Sequence, residues 1–190
     1  MKKAIVLVLC AVLLCGVSVF STLAYLTSTD KVENTFTVGN VKITLDEAKV
    51  KADGTADGNE RVKANEYKLI PGKSYTKDPT VHVDANSEDC WVFVKVVNEI
   101  ANIEADTTVA AQMSTNGWTA VEGAENVYVY REIANANDDI VVFKNFEIKG
   151  DVSNETLATY ANKTIVVTAY AVQAEGFATA EAAWTAAGLN

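Results

Sequence analysis

Few side chains in this chain are equipped for chemistry, and their spacing narrows the options further. The one histidine, His82, stands in the middle of "TVHV". A Ser–His–Asp site would need it at the rim of a cleft, beside a strained nucleophile elbow. No G-x-S-x-G occurs, and neither does H-E-x-x-H, the usual helical zinc motif. His82 is expected on a sheet surface, solvated near Asp84, and neither an enzyme nor a catalytic residue is expected. "ADGTADGNE" places Asp53, Asp57 and Glu60 on one Gly-rich stretch. Hard oxygen ligands there could attract Ca²⁺, yet the spacing is not that of an EF-hand, so a solvated loop is expected and no metal or other cofactor. Trp118, Tyr128 and Tyr130 could offer a sugar-binding platform, although alternating aromatics read first as core and cross-strand pairs. Asn154-Glu155-Thr156 and Asn162-Lys163-Thr164 match the glycosylation acceptor pattern, a short and common motif. No Gly-rich phosphate loop opens a helix, so nucleotide binding has no support.

The first residues carry a different kind of signal. Lys2 and Lys3 precede "AIVLVLCAVLLCGVSVF", an apolar run of 17 residues followed by small residues at Thr22 and Ala24. A charged start, a short oily run and small residues before a cut describe a secretory signal peptide, residues 1–24, cleaved between Ala24 and Tyr25. A permanent anchor is the alternative, but a spanning helix needs about 20 apolar residues and this run is broken by Gly16 and Ser18. The expected product is secreted, with no stable membrane insertion after cleavage. Removal of Lys2 and Lys3 leaves 25 acidic and 14 basic residues, moving the formal charge from −9 to −11. Such a balance argues against nucleic acid or an anionic lipid surface as a partner. Cys10 and Cys15 leave with the leader, so Cys90 stands alone and no internal disulfide is expected. Cys90 could pair between chains, but beside a strand it reads as a small apolar residue.

The elements that would position these residues are mostly strands. "NTFTVGNVKITLDE" alternates, with a phase break at Gly39-Asn40 that suggests a bulge. "DEAKVKADGTADGNERVKANEYK" reads as a long polar surface excursion, and "LIPGKSYTKDPTVHV" as a Pro-Gly turn before a strand. "CWVFVKVVNE" predicts a central strand with Cys90, Val92, Val94 and Val96 on one face, while Lys95 opens the other to water. A short helix capped by Asp106, a hairpin turning near Gly123–Asn126, a strand in "DIVVFKNFEIKG", a helix capped by Asn154, a last strand in "TIVVTAYAVQAEGF" and a terminal helix from Thr179 follow. Seven or eight strands without strand–helix alternation predict an all-β fold. The expected form is one antiparallel β-sandwich domain over residues 25–190, of jelly-roll or immunoglobulin-like type, with short helices in the connections.

"YLTSTDKVENTFTVGN", with "LIPGKSYTKDPTVHV" and "VVTAYAVQAEGF", resembles the TasA/camelysin family of secreted Gram-positive surface and biofilm-matrix proteins. The resemblance implies a jelly-roll sandwich and export through a dedicated signal peptidase, SipW. It also implies polymerisation into extracellular fibres by strand donation, in which the segment freed at the new N-terminus completes a neighbour's sheet. Here that segment is residues 25–38. Its apolar residues Leu26, Val32, Phe36 and Val38 all fall on even positions, hence on one face of an extended strand. The implied partners are other copies of the chain and other matrix proteins, with the signal peptidase during export. Camelysin-type relatives are also described as metalloproteases, but this chain supplies no recognisable zinc site.

Overall fold

The computed structural model describes residues 39–189. The signal peptide (1–24), the cleavage site at Ala24 and Tyr25, and the candidate donor strand (25–38, with Leu26, Val32, Phe36 and Val38) lie outside the described residues. Ten strands follow one another along the described chain: β1 (Ile43–Val50), β2 (Ala56–Val62), β3 (Ser74–Thr76), β4 (Thr80–Val83), β5 (Cys90–Asn98), β6 (Trp118–Ala120), β7 (Val127–Tyr130), β8 (Asp139–Val141), β9 (Asn145–Glu147) and β10 (Ile165–Gln173). Three short helices sit in the connections, α1 (Val109–Thr115), α2 (Asn154–Thr159) and α3 (Ala180–Ala186). All strand pairs are antiparallel, in two four-stranded sheets ordered β2-β1-β4-β8 and β10-β5-β7-β6 and a small β3-β9 ribbon. The expected all-β sandwich is the fold.

The main core lies between the two large sheets. Val81 and Val83 of β4, Ile140 of β8 and Val92, Val94 and Val96 of β5 meet there. The alternation of β5 places these valines inside while Lys95 and Val97 face water, as its sequence predicts. Tyr75 stacks on Phe146 at a centroid distance of 5.0 Å, and Tyr67 meets Phe146 edge-on at 5.1 Å, filling the end of the sandwich under β3 and β9. The outer face of β5 has its own cover. Trp184 of α3 lies 4.9 Å from the Phe93 ring and 5.7 Å from Tyr170, with Val121, Val127 and Val129 around them.

Several local expectations shift. The polar stretch after Leu45 is a hairpin rather than a loop, with Glu47 opposite Val62 and Ala48 opposite Arg61. β2 is exposed along almost its whole length, so no apolar rhythm marks it. The irregular register in β1 falls between Ala48 and Val50. α1 is capped by Thr108, whose hydroxyl accepts from Ala111 N at 3.1 Å, not by Asp106. α2 is capped by Ser153, one residue before the expected Asn154. The "DIVVFKNFEIKG" strand is two strands, β8 and β9, serving different sheets.

Candidate functional site

The two large sheets do not close against each other along one seam. β10 pairs with β5 through all nine residues and has no partner on its other side among the described residues. In an antiparallel strand successive residues direct their backbone groups to opposite neighbours. Thr164 O accepts from Glu99 N on the β5 side, so the odd residues Ile165, Val167, Ala169 and Ala171 direct N–H and C=O away from β5. Their side chains pack on the main core.

β1 presents a matching half-edge. Residues 43–46 pair with β4 on one side, while β2 begins pairing only at Glu47 on the other. Lys42 O accepts from Asp84 N and Asn40 O from Glu88 N, which fixes the even residues on the β4 side. Val41, Ile43 and Leu45 therefore direct their backbone groups outward, again with side chains against the core. The Lys63 ammonium donates to Leu45 O, occupying one acceptor that a strand would otherwise use.

Between Leu45–Glu47 of β1 and Ile165–Val167 of β10 the seam widens into a groove of about 1140 Å³. Tyr67, Leu69, Leu157 and Tyr160 add apolar wall and Phe146 lies at its base. One buried polar group is set into it: Glu47 accepts from Lys77 Nζ at 2.6 Å and from Asn65 Nδ2 at 2.9 Å. Burial, followed by the Glu47 charge, pushes the Tyr67 phenol well above its ordinary value, so it stays a donor, bound to Thr76 O at 3.0 Å. At the far end of the seam the described chain begins at Gly39. A Cβ there would fall 2.3 Å from Oε1 of Gln173, the last residue of β10. The described chain thus begins beside the end of β10.

The other residues singled out from sequence are dispersed. His82 bonds Asp139 and Asp46 rather than Asp84, which pairs with Lys42 at 3.0 Å. Asp53 closes its own turn onto Thr55, while Glu60 bonds Lys49, whose charge Asp57 also feels. No group of three or more His, Cys, Asp or Glu is arranged to hold a metal among the described residues. Trp118 is buried, its indole N–H donating to Val141 O at 3.0 Å, and its ring lies 5.5 Å from Tyr130. These aromatics are core, not a platform. Cys90 is a buried free thiol, pushed up to about 11 by burial and then by Asp89 and Asp138. Asn154 and Asn162 are exposed. No helix among the described residues is long and apolar enough to cross a membrane. The seam itself was missed by sequence reasoning, because an edge is a property of strand order and leaves no mark on the strand.

Comparison with known proteins finds no matching family model, no matching curated relative and no matching solved structure.

Proposed function

We propose that this chain is an exported structural protein that assembles into extracellular fibres or matrix by donating residues 25–38 to the open seam of a neighbouring copy. The carrying observation is a pair of edges without a strand partner among the described residues, the odd residues of β10 and of β1, bordering one groove with apolar side chains turned into the same core. A strand laid there finds backbone partners on its flanks and a core beneath it. The segment 25–38 has the matching pattern, with Leu26, Val32, Phe36 and Val38 on one face and mostly polar residues on the other. Cleavage after Ala24 releases its first residue, Tyr25, and so couples assembly to export. The resemblance to the TasA/camelysin family supports the same reading, with other copies of the chain and further matrix proteins as partners and the cell surface or matrix as destination. A carbohydrate platform loses its main residue, since Trp118 is buried. A peptidase reading has no metal-holding cluster to support it among the described residues, and the one histidine is committed to two carboxylates of its own sheet.

The test compares protein beginning at Tyr25 with protein beginning at Val41 by electron microscopy and sedimentation. Fibres or oligomers from the first and monomers from the second support the proposal, as does capping of growth by an added 25–38 peptide. Monomers from both sink it. N-terminal sequencing of the exported product should begin at Tyr25.

A further inference from the structure

Across the outer face of the β2-β1-β4-β8 sheet runs a row of charges that uses every strand once. Asp139 of β8, His82 of β4, Asp46 of β1 and Arg61 of β2 follow one another in strand order. His82 Nδ1 lies 2.5 Å from Asp139 Oδ1, and Nε2 lies 2.9 Å from Asp46 Oδ1. Arg61 donates from Nε to the same Asp46 oxygen and from a terminal nitrogen to Asp78 Oδ2 at 3.1 Å. The charged groups facing the imidazole are therefore Asp139 from β8 and Asp46 from β1. Arg61 from β2 and Asp78 from the β3–β4 connection act on it through Asp46. The next rung on this face, Lys42 with Asp84 at 3.0 Å, is a pair of its own.

Both ring nitrogens meet a carboxylate, and carboxylates only accept. Only the protonated imidazole has two N–H groups to give; the neutral ring has one. We propose that His82 is a proton-dependent clasp across this sheet: with its proton it holds Asp46 and Asp139 together, and without it one carboxylate is let go. Asp139 is the one released. Its side chain is 68% exposed and returns to water at little cost, whereas Asp46 is 23% exposed and anchored by Arg61. β8 is a three-residue strand at the sheet edge, so the lost tie acts on the element with the fewest others.

The direction of the pH dependence follows. Burial pushes the imidazole down, but the hydrogen bonds and charges of Asp139 and Asp46 outweigh it, and His82 titrates above its ordinary 6.5. Burial likewise opposes the charge of Asp46, yet Arg61 and His82 leave it below its ordinary 3.8. The contribution of His82 is complete below its unfolded value and disappears as pH rises through the raised one. That of Asp46 disappears as pH falls through its lowered value.

Because the chain has one histidine, its ring proton resonances can be followed alone. The proposal expects a titration midpoint above 6.5 in the intact protein and a fall toward 6.5 in Asp139→Asn. It also expects faster exchange, once corrected for intrinsic pH dependence, at Val83 N–H and Val142 N–H, which bond Asp138 O and Pro79 O across the β4–β8 junction. That increase should be about 2- to 12-fold on passing the midpoint, the range for one lost hydrogen bond. A midpoint at or below 6.5, a midpoint unmoved by Asp139→Asn, or exchange at both amides that ignores the midpoint would each overturn it.

Discussion

Two buried carboxylates show how neighbours decide what a charge does. Glu47 is 4% exposed and sits with Lys77 and Asn65 in the groove. Removing one partner of such a pair strands the other, so Lys77→Met should destabilise the protein by about 3–5 kcal/mol in denaturant unfolding. Glu47→Gln combined with Lys77→Met should recover much of the loss. Glu104 is equally buried but has no cation beside it among the described residues, only the Asn98 side chain and two long contacts from Val109 N at 3.4 Å. Burial raises its carboxyl above the ordinary value, so the folded protein prefers it protonated. Stability should fall as pH rises from the ordinary 4.5 through that raised value, and Glu104→Gln should remove this fall and be the more stable protein at neutral pH. Thermal unfolding of both proteins across pH checks the sign. Gly54 has φ +78° and its Cβ would meet the Tyr75 backbone at 2.9 Å, so Gly54→Ala should cost about 1–3 kcal/mol.

Among the elements, α3 is the simplest to test. It covers Phe93 chiefly through Trp184, whose indole N–H is buried without an acceptor among the described residues. Trp184→Ala should cost about 3–5 kcal/mol, while Trp184→Phe, which also removes the orphan donor, should cost clearly less in the same unfolding assay. Element by element, legibility in the sequence tracks burial. β5 and β10 are dense in β-branched residues and were readable as strands, and the two faces of β5 separate as its alternation predicts. β2 was not readable, because "ADGNERV" has no buried face to impose a period. It is held by pairing with β1 and by bridges such as Lys49 to Glu60 at 3.0 Å. The caps at Thr108 and Ser153 were displaced by one or two residues because neighbouring Asp106 and Asn154 are equally good cap formers by type. Which hydroxyl reaches the helix N–H is a matter of backbone direction. His82 was legible as surface, but its carboxylates were not, since Asp46 and Asp139 lie 36 and 57 positions away.

At the scale of the whole sandwich, β10 and the first half of β1 each lack a strand on one side among the described residues, and both border one groove. The odd residues there turn their side chains into the core and their backbone groups away from the paired strand, and apart from Leu45 O, which accepts from Lys63, those groups have no ladder partner among the described residues. A strand supplied by the chain's own N-terminal segment would close a monomer; the same strand supplied by a neighbour would build a polymer. The central claim is that residues 25–38 fill this edge from another copy. Hydrogen exchange at Val167 and Ala169 of β10 tests it most directly. In protein beginning at Val41 both amides should exchange rapidly, and in protein beginning at Tyr25 they should become protected as concentration and assembly increase. Equal exchange in the two proteins, or protection in the longer one that is already complete in dilute monomer, would contradict the account.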